Sequence, residues 1–156
     1  MELPISSLLE RLANEYEAHI FYRNASNWCA VKGFTYASKY FADEAKSELT
    51  HADAIQEYLT NWNISFSIPS VSVEFDEFTS IRSLFLEALE IEQALYKAYN
   101  KDAIECMHID SSLYNLNLKF VGVQTDAVAE YLNFNDELNM ISDSDLWLWQ
   151  KENFGE

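Results

Sequence analysis

Apolar residues recur at alternating intervals of three and four along four segments of the chain, which is the spacing of an amphipathic α-helix. The first segment begins near Ile5 and stops before Gly33, and the second ends near Trp62. The third resumes at about Glu77, and the fourth runs to about Asn135. The pattern predicts four long helices, each about 40 Å long for about 27 residues.

The first two breaks between these segments differ in length. Gly33 is typical of a helix C-terminus, and it predicts a short antiparallel turn between the first two helices. Residues 63–76 lose the helical period, contain Pro69 and are rich in Ser and Val, which predicts a long extended crossover.

The remaining breaks are short. Residues 106–112 form a polar link, in which Ser111 and Ser112 are candidate N-caps for the fourth helix. Asp143 or Ser144 begins a short fifth helix with the sequence DLWLWQKEN. The predicted fold class is therefore all-α, a four-helix bundle with one long crossover between its second and third helices and a short fifth C-terminal helix.

Composition supports this fold class. The chain has 156 residues, of which 49% are hydrophobic, so we expect one domain over residues 1–156. Only 3 Gly and 2 Pro are present, too few for the many tight turns of a β-sandwich or barrel.

Charge and cysteine content narrow the classes of function. The formal net charge of −16 would repel nucleic acids and anionic membrane surfaces, so neither is an expected partner. Charged residues interrupt the N-terminal segment, which predicts no signal peptide or membrane span. The two cysteines, Cys29 and Cys106, lie in no CxxC motif, and we expect a reducing, cytoplasmic location.

Polar residues interrupt the apolar stripe near the middle of every predicted helix. Glu15, Glu48 and Glu92 occupy stripe positions of the first, second and third helices. His51 follows Glu48 by three residues on the adjoining edge, and Gln124 interrupts the fourth helix. In an antiparallel bundle these positions fall at one level, so we expect the side chains to meet.

Buried carboxylates need compensating charge, since desolvation of an unpaired charge costs several kcal/mol. The chain has only ten Lys and Arg residues, and none occupies these positions. A bound divalent cation is the simplest compensation. Oxygen ligands with an imidazole suit Fe, Mn or Zn, and a Glu-x-x-His pair supplies both donor types to one side of a site.

Each of these residues has a simpler interpretation when it is taken alone. A Glu-x-x-His pair is more often a solvated pair on a helix surface, and a lone Gln124 more often bonds a neighbouring backbone group. Tyr22 and His19 are more often packing or edge residues. The convergence of several such residues on one level of the bundle favours the metal site.

These residues resemble those of the ferritins, and the likeness covers nearly the whole chain. Glu15 and Tyr22 in NEYEAHIFY, Glu48 and His51 in SELTH, and Glu92 in EIEQALY match the ferroxidase pattern of H-type ferritins. The pattern on the fourth helix is matched by Gln124 and Ala127 in VQTDA. The set is specific because it extends over four helices.

The resemblance implies a di-iron centre. By this analogy Glu15, Glu48 and His51 hold one iron, Glu48 bridges to a second iron held by Glu92, and Gln124 lies in the outer part of that weaker site. Tyr22 hydrogen-bonds near the centre and is a candidate for electron transfer. In the family, dioxygen oxidises Fe(II), and Fe(III) is stored in the cavity of a 24-subunit shell.

The chain departs from several ferritin subgroups. Leu49 stands where bacterioferritins have a haem-ligating Met, and Ala127 stands where they have a second Glu-x-x-His motif, so we expect no haem. Ser47 and Val123 replace two acids of the third iron site of many bacterial ferritins, which leaves Asp126 as a possible remnant. Tyr114 and Asn117 replace acidic residues that line the threefold channels of animal ferritins.

The resemblance favours an iron-storing ferroxidase, and two other functions remain open at this point. One is a metal-buffering or structural cage protein without catalysis. The other is a small di-iron oxidase that acts on an organic substrate. Oxidation of Fe(II) by dioxygen with no organic substrate separates the first function from both alternatives.

Overall fold

A computed structural model of the chain describes residues 5–74 and 77–156. It consists of long helices and a short C-terminal helix, and the described residues contain no strand. The elements are α1 (Ile5–Val31), α2 (Thr35–Asn61), α3 (Ile81–Cys106), α4 (Ser111–Met140) and α5 (Leu146–Phe154), with one 3-10 turn (Asp143–Asp145) before α5. The predicted fold class is confirmed. In the described part of the chain, no helix has the length and apolarity needed to cross a bilayer.

The α1–α2 link is the tight turn that the sequence predicts. Gly33 has φ +87°, in the left-handed region that glycine adopts without steric penalty. The Phe34 amide donates a 2.8 Å hydrogen bond to the Cys29 carbonyl and closes the end of α1. After α2, residues 63–74 form neither helix nor strand, as expected for the crossover.

The third helix begins about one turn later than the sequence predicts. Ser80 has extended backbone angles, and its hydroxyl accepts a 3.0 Å hydrogen bond from the Ser83 amide. The Ser83 hydroxyl in turn accepts from the Ser80 amide, which completes a capping box. The predicted start at Glu77 is therefore wrong. Phe78 lies before the helix and is buried.

The fourth helix also differs from the prediction at both ends. Its N-cap is Asp110, whose carboxylate accepts a 2.8 Å hydrogen bond from the Leu113 amide, so neither Ser111 nor Ser112 is the cap. The helix continues past Asn135 to Met140. Its last turns are held by α3, because Arg82 donates hydrogen bonds to the carbonyls of Leu138 and Ile141.

The short α5 packs beside the start of α2. No side chain of the link caps α2, since the residue at its N-cap position is Phe34. Instead, the Gln150 side-chain oxygen accepts hydrogen bonds of 2.9 and 2.8 Å from the Tyr36 and Ala37 amides. Gln150 is fully buried, so a residue distant in sequence satisfies these amide groups.

Candidate metal centre

Glu15, Glu48 and His51 lie together in the interior of the bundle. One potential ligand atom from each side chain lies within 4.8 Å of those of the other two. Glu48 and His51 are one turn apart on α2, and Glu15 faces them from α1. Both carboxylates are buried, and His51 is partly buried at the edge of the cluster.

His51 is in contact with both carboxylates. Its Nδ1 atom lies 3.2 Å from Glu48 Oε2 and 3.4 Å from Glu15 Oε2. The ring packs edge-on against Phe120 of α4, with 5.8 Å between ring centroids. The imidazole is thus held between two carboxylates on one side and an aromatic ring on the other.

Glu92 lies beside this cluster on α3 and is held by two neighbouring helices. The Tyr22 hydroxyl of α1 donates a hydrogen bond to Glu92 Oε1. Gln124 of α4 donates its amide hydrogens to Glu92 Oε2 and, at 3.3 Å, to the Glu92 backbone carbonyl. In this arrangement Tyr22 and Gln124 orient the Glu92 carboxylate.

Tyr99 is a site residue that the sequence analysis did not single out. Its buried hydroxyl donates a 2.6 Å hydrogen bond to Glu15 Oε1. Tyr99 follows Glu92 by seven residues, just as Tyr22 follows Glu15. This shared spacing is the sequence signal for Tyr99, because each tyrosine bonds the glutamate of the other helix.

The buried carboxylates have strongly perturbed acidities. Burial raises the pKa of Glu48 well above its ordinary value, and the adjacent Glu15 carboxylate raises it further. Burial acts in the same direction on Glu15, but hydrogen bonds from Glu48, His51 and Tyr99 hold the pKa of Glu15 below its ordinary value. The pKa values of the two carboxyl groups therefore shift in opposite directions, as expected for adjacent carboxyl groups that repel each other when both are charged.

His51 and Glu92 also have shifted pKa values. Burial lowers the pKa of His51, but the Glu15 and Glu48 carboxylates reverse this effect and raise it to about 10. Burial raises the pKa of Glu92, although hydrogen bonds from Tyr22 and Gln124 oppose the shift. The raised pKa values of Glu48, His51 and Glu92 all favour the protonated forms of these groups.

The donor set fits a divalent transition-metal cation. Glu15 Oε2 is buried and lies 3.4 Å from His51 Nδ1, so it faces the other potential ligands of the cluster. Carboxylate oxygens and one imidazole are the donors that Fe, Mn and Zn accept. An ion at this position would compensate the buried carboxylates and compete with protons for Glu48 and His51.

Other residues considered in the sequence lie outside the cluster. The His19 Nδ1 atom hydrogen-bonds the Ala45 carbonyl at 2.7 Å, as expected for a satisfied edge histidine. Asp126 is exposed. Glu44 of α2 was not singled out from the sequence, but burial and the nearby Glu130 raise its pKa to about 7.

The chain matches the ferritin-like domain family over residues 5–141, and it therefore belongs to that family. It is 26% identical over 141 residues to the bacterial non-heme ferritin of Escherichia coli O6:H1, covering 90% of this chain and 86% of that protein. The bacterial non-heme ferritin of Staphylococcus aureus MRSA252 is 24% identical over 151 residues. The match covers 95% of this chain and 91% of that protein.

Solved structures show the same fold. An open-pore ferritin from the hyperthermophilic archaeon Archaeoglobus fulgidus superposes with a TM-score of 0.91 at 18% identity, covering 97% of this chain and 94% of that one. An engineered closed form of the A. fulgidus ferritin gives a TM-score of 0.89 at 19% identity. The match covers 95% of this chain and 92% of that one. At these identities the likeness is one of fold.

Proposed function

We propose that this protein oxidises Fe(II) with dioxygen at a di-iron site and stores the Fe(III) product inside a closed shell of identical subunits, of which the ferritin resemblance implies about 24. One observation carries the proposal. Glu15, Glu48 and His51 converge in the bundle interior, and Glu92 lies beside them. Membership of the ferritin-like family and the relatives named as non-heme ferritins support the same function.

In this proposal iron is the substrate. Glu15, Glu48 and His51 bind one Fe(II), and Glu48 also contacts a second Fe(II) held by Glu92. Gln124 and Tyr22 hold Glu92 in place through the hydrogen bonds described above. Iron binding competes with protonation of Glu48, because a carboxyl group binds metal in its deprotonated form. Each Fe(II) then gives one electron to dioxygen.

The two sites differ in their donors. The first has two carboxylates and an imidazole, whereas the second has Glu92, a share of Glu48 and the neutral Gln124. Since affinity for a hard cation follows the number and charge of its ligands, the second iron binds more weakly. A weak second site favours transfer of the product toward the storage cavity. We place this activity in the cytoplasm, where the two free, buried cysteines stay reduced.

Glu48→Ala tests the proposal because it removes the ligand shared by both irons. We expect rapid Fe(II) oxidation, followed by stopped-flow absorbance, to be lost while the assembly stays intact by size-exclusion chromatography. The matched control is Glu57→Ala, which removes an exposed acid from the same helix and should oxidise iron as the parent does. Parent-like initial oxidation by an intact Glu48→Ala assembly would contradict the site assignment.

The same experiment separates the alternatives. A cage that only buffers metal would bind Fe(II) without consuming dioxygen. A di-iron oxidase would turn over only a few irons per subunit until an organic substrate was added. Repeated oxidation of added Fe(II), with iron and protein eluting in one peak of high mass, is the result expected for an iron-storing ferroxidase.

A further inference from the structure

A surface groove of about 530 Å³ lies between α1 and α3, and we call it the α1/α3 groove. The two helices contribute mostly apolar side chains to its lining, namely Ala18 and Phe21 from α1 and Ile91, Ala94, Leu95 and Ala98 from α3. Of these side chains, those of Ala18 and Leu95 are buried, so they form the floor of the groove.

The floor of the groove lies at the level of the candidate metal centre. Two hydrogen bonds fix the register of the antiparallel helices α1 and α3, namely Tyr22 to Glu92 and Tyr99 to Glu15. Ala18 lies midway along α1 between the two residues that α1 contributes to these bonds, and Leu95 lies midway along α3 between those of α3. The two floor residues therefore face each other between the two hydrogen bonds, directly outside the buried carboxylates.

Aromatic rings close the centre in both directions along the bundle axis. Tyr22 and Tyr99 lie on opposite sides of the centre, because each follows its own glutamate by seven residues on antiparallel helices. Tyr22 is stacked against Phe41 and Tyr131, with ring centroids 5.9 and 6.3 Å away. Tyr99 is stacked against Phe120, with 4.7 Å between centroids. These packed rings block access from the two ends of the bundle.

The centre is open to solvent at His51, whose side chain is 19% exposed, against 0% for Glu15 and 3% for Glu48. Hydrated Fe(II) reaches its ligands at this polar edge. It does not cross the floor of the α1/α3 groove, because Ala18 and Leu95 offer no atom in exchange for its water ligands. Dioxygen is small, uncharged and apolar, so an apolar groove concentrates it.

We propose that dioxygen reaches the di-iron site through the α1/α3 groove and across its floor of Ala18 and Leu95, separately from Fe(II). The inference rests on the proposed iron oxidation, and it assigns the two substrates to different sides of the site. The small side chain of Ala18 leaves Leu95 room to rotate between staggered rotamers, and this rotation opens the floor to a diatomic molecule.

Nuclear magnetic resonance of iron-free protein with labelled leucine methyl groups tests the route without any oxidation chemistry. Dissolved dioxygen is paramagnetic, so it speeds the relaxation of the methyl groups that it reaches. In the parent we expect this enhancement to be about threefold larger at Leu95 than at Leu59, which is buried in α2 outside the groove. Equal enhancement at the two leucines would overturn the proposal.

Two substitutions obstruct the groove. Ala18→Leu fills the floor, and we expect the enhancement at Leu95 to fall to that at Leu59. Ala94→Trp covers the floor from an exposed position, so it should have the same effect even where overpacking at position 18 prevents folding. The matched control Ala30→Leu changes an exposed position of α1 outside the groove and should behave as the parent. Parent-like enhancement at Leu95 in either folded groove variant would overturn the proposal.

Stopped-flow oxidation of Fe(II) at a series of dioxygen concentrations connects the route to the reaction. In both groove variants we expect the dioxygen concentration at half-maximal rate to rise about threefold, because only the supply of dioxygen changes. The maximal rate and the anaerobic affinity for Fe(II) should equal those of the parent. An unchanged dependence on dioxygen would overturn the proposal. If dioxygen reaches Leu95 in iron-free protein but leaves Fe(II) unoxidised, the proposed function fails and the route stands.

Discussion

Glu15 and Glu92 are held by a reciprocal pair of hydrogen bonds. Tyr22, seven residues after Glu15 on α1, donates to Glu92, and Tyr99, seven residues after Glu92 on α3, donates to Glu15. Each bond connects two helices, so the position of each carboxylate depends on the packing of both. This arrangement limits the orientations available to the two glutamates before any ion binds.

Tyr99→Phe removes one of these bonds and leaves the aromatic ring against Phe120. Glu15 would then lose its orienting donor, and we expect the first site to bind Fe(II) about tenfold more weakly. Anaerobic calorimetric titration measures this affinity. Tyr16→Phe serves as the control, because the Tyr16 hydroxyl accepts from Gln56 rather than contacting the centre. Unchanged affinity in Tyr99→Phe would show that Glu15 needs no orientation.

The weak second site leads to another prediction. Ala127 is partly buried and lies about one turn after Gln124 on α4. In Ala127→Glu a third carboxylate joins Glu92 and Glu48, so we expect higher occupancy of the second site and slower release of iron to the cavity. Briefly soaked crystals should show the Glu15/Glu48/His51 position filled first in the parent.

The control for that substitution is Ala129→Glu, which places the same acid at an exposed position of α4. It should leave the order of filling unchanged. Two results together would contradict this prediction: equal occupancy of both positions in the parent at every soak time, and release of iron from Ala127→Glu as fast as from the parent. They would show that the number of ligands does not control the affinity of the second site.

Among the helices, the start of α4 depends on one side chain. The Asp110 carboxylate accepts hydrogen bonds from the Leu113 amide and the Ser112 hydroxyl. Asp110→Ala removes this cap, and we expect a loss of about 1 kcal/mol in the free energy of unfolding. Denaturant titration followed by circular dichroism, at equal subunit concentrations, measures the loss. Asp110→Asn keeps an acceptor and should lose much less.

The same cap makes a small part of the stability depend on pH. Hydrogen bonds from Leu113 and Ser112 lower the pKa of Asp110 below its ordinary value. The charged form is therefore favoured by folding, and its contribution is present above about pH 3.9 and is lost as the pH falls through the lowered value. The difference in stability between the parent and Asp110→Asn should shrink on acidification through this range. A constant difference would contradict the effect.

The surface of the whole subunit carries apolar side chains that a separate bundle leaves in water. Trp147 and Leu148 of α5 are 48% and 50% exposed, although their neighbour Trp149 is buried. Further exposed apolar residues lie on α3 and α4, namely Leu86, Tyr96, Ile104, Leu118, Val123, Leu132 and Met140. Closed symmetric assembly is one way to bury such surfaces.

We expect the chain to form a large closed assembly, with α5 contributing to its contacts. The double variant Trp147→Lys with Leu148→Glu should shift the mass, measured by light scattering after size-exclusion chromatography, to smaller species. Glu152→Lys changes the charge of an exposed α5 residue and keeps the apolar surface, so it should retain the parent mass. A stable, folded monomer of the parent at micromolar concentration would contradict the prediction.

The helices and the level of the centre follow from local sequence. The repeat of apolar positions predicted the four long helices, because the geometry of an α-helix is periodic and independent of distant residues. The same period placed Glu15, Glu48, His51 and Glu92 at one level, where the structure brings the first three together. Their assignment as iron ligands stays a prediction.

The tertiary structure decided the features that join distant positions. It extended α4 through hydrogen bonds from Arg82 of α3, whereas the Asp110 cap that the sequence analysis missed is local, since Asp110 bonds the amide three residues further on. It also directed Tyr99 to Glu15 and Tyr22 to Glu92. A single sequence specifies which face of a helix is apolar, but the partner and burial of each polar atom depend on how the helices pack.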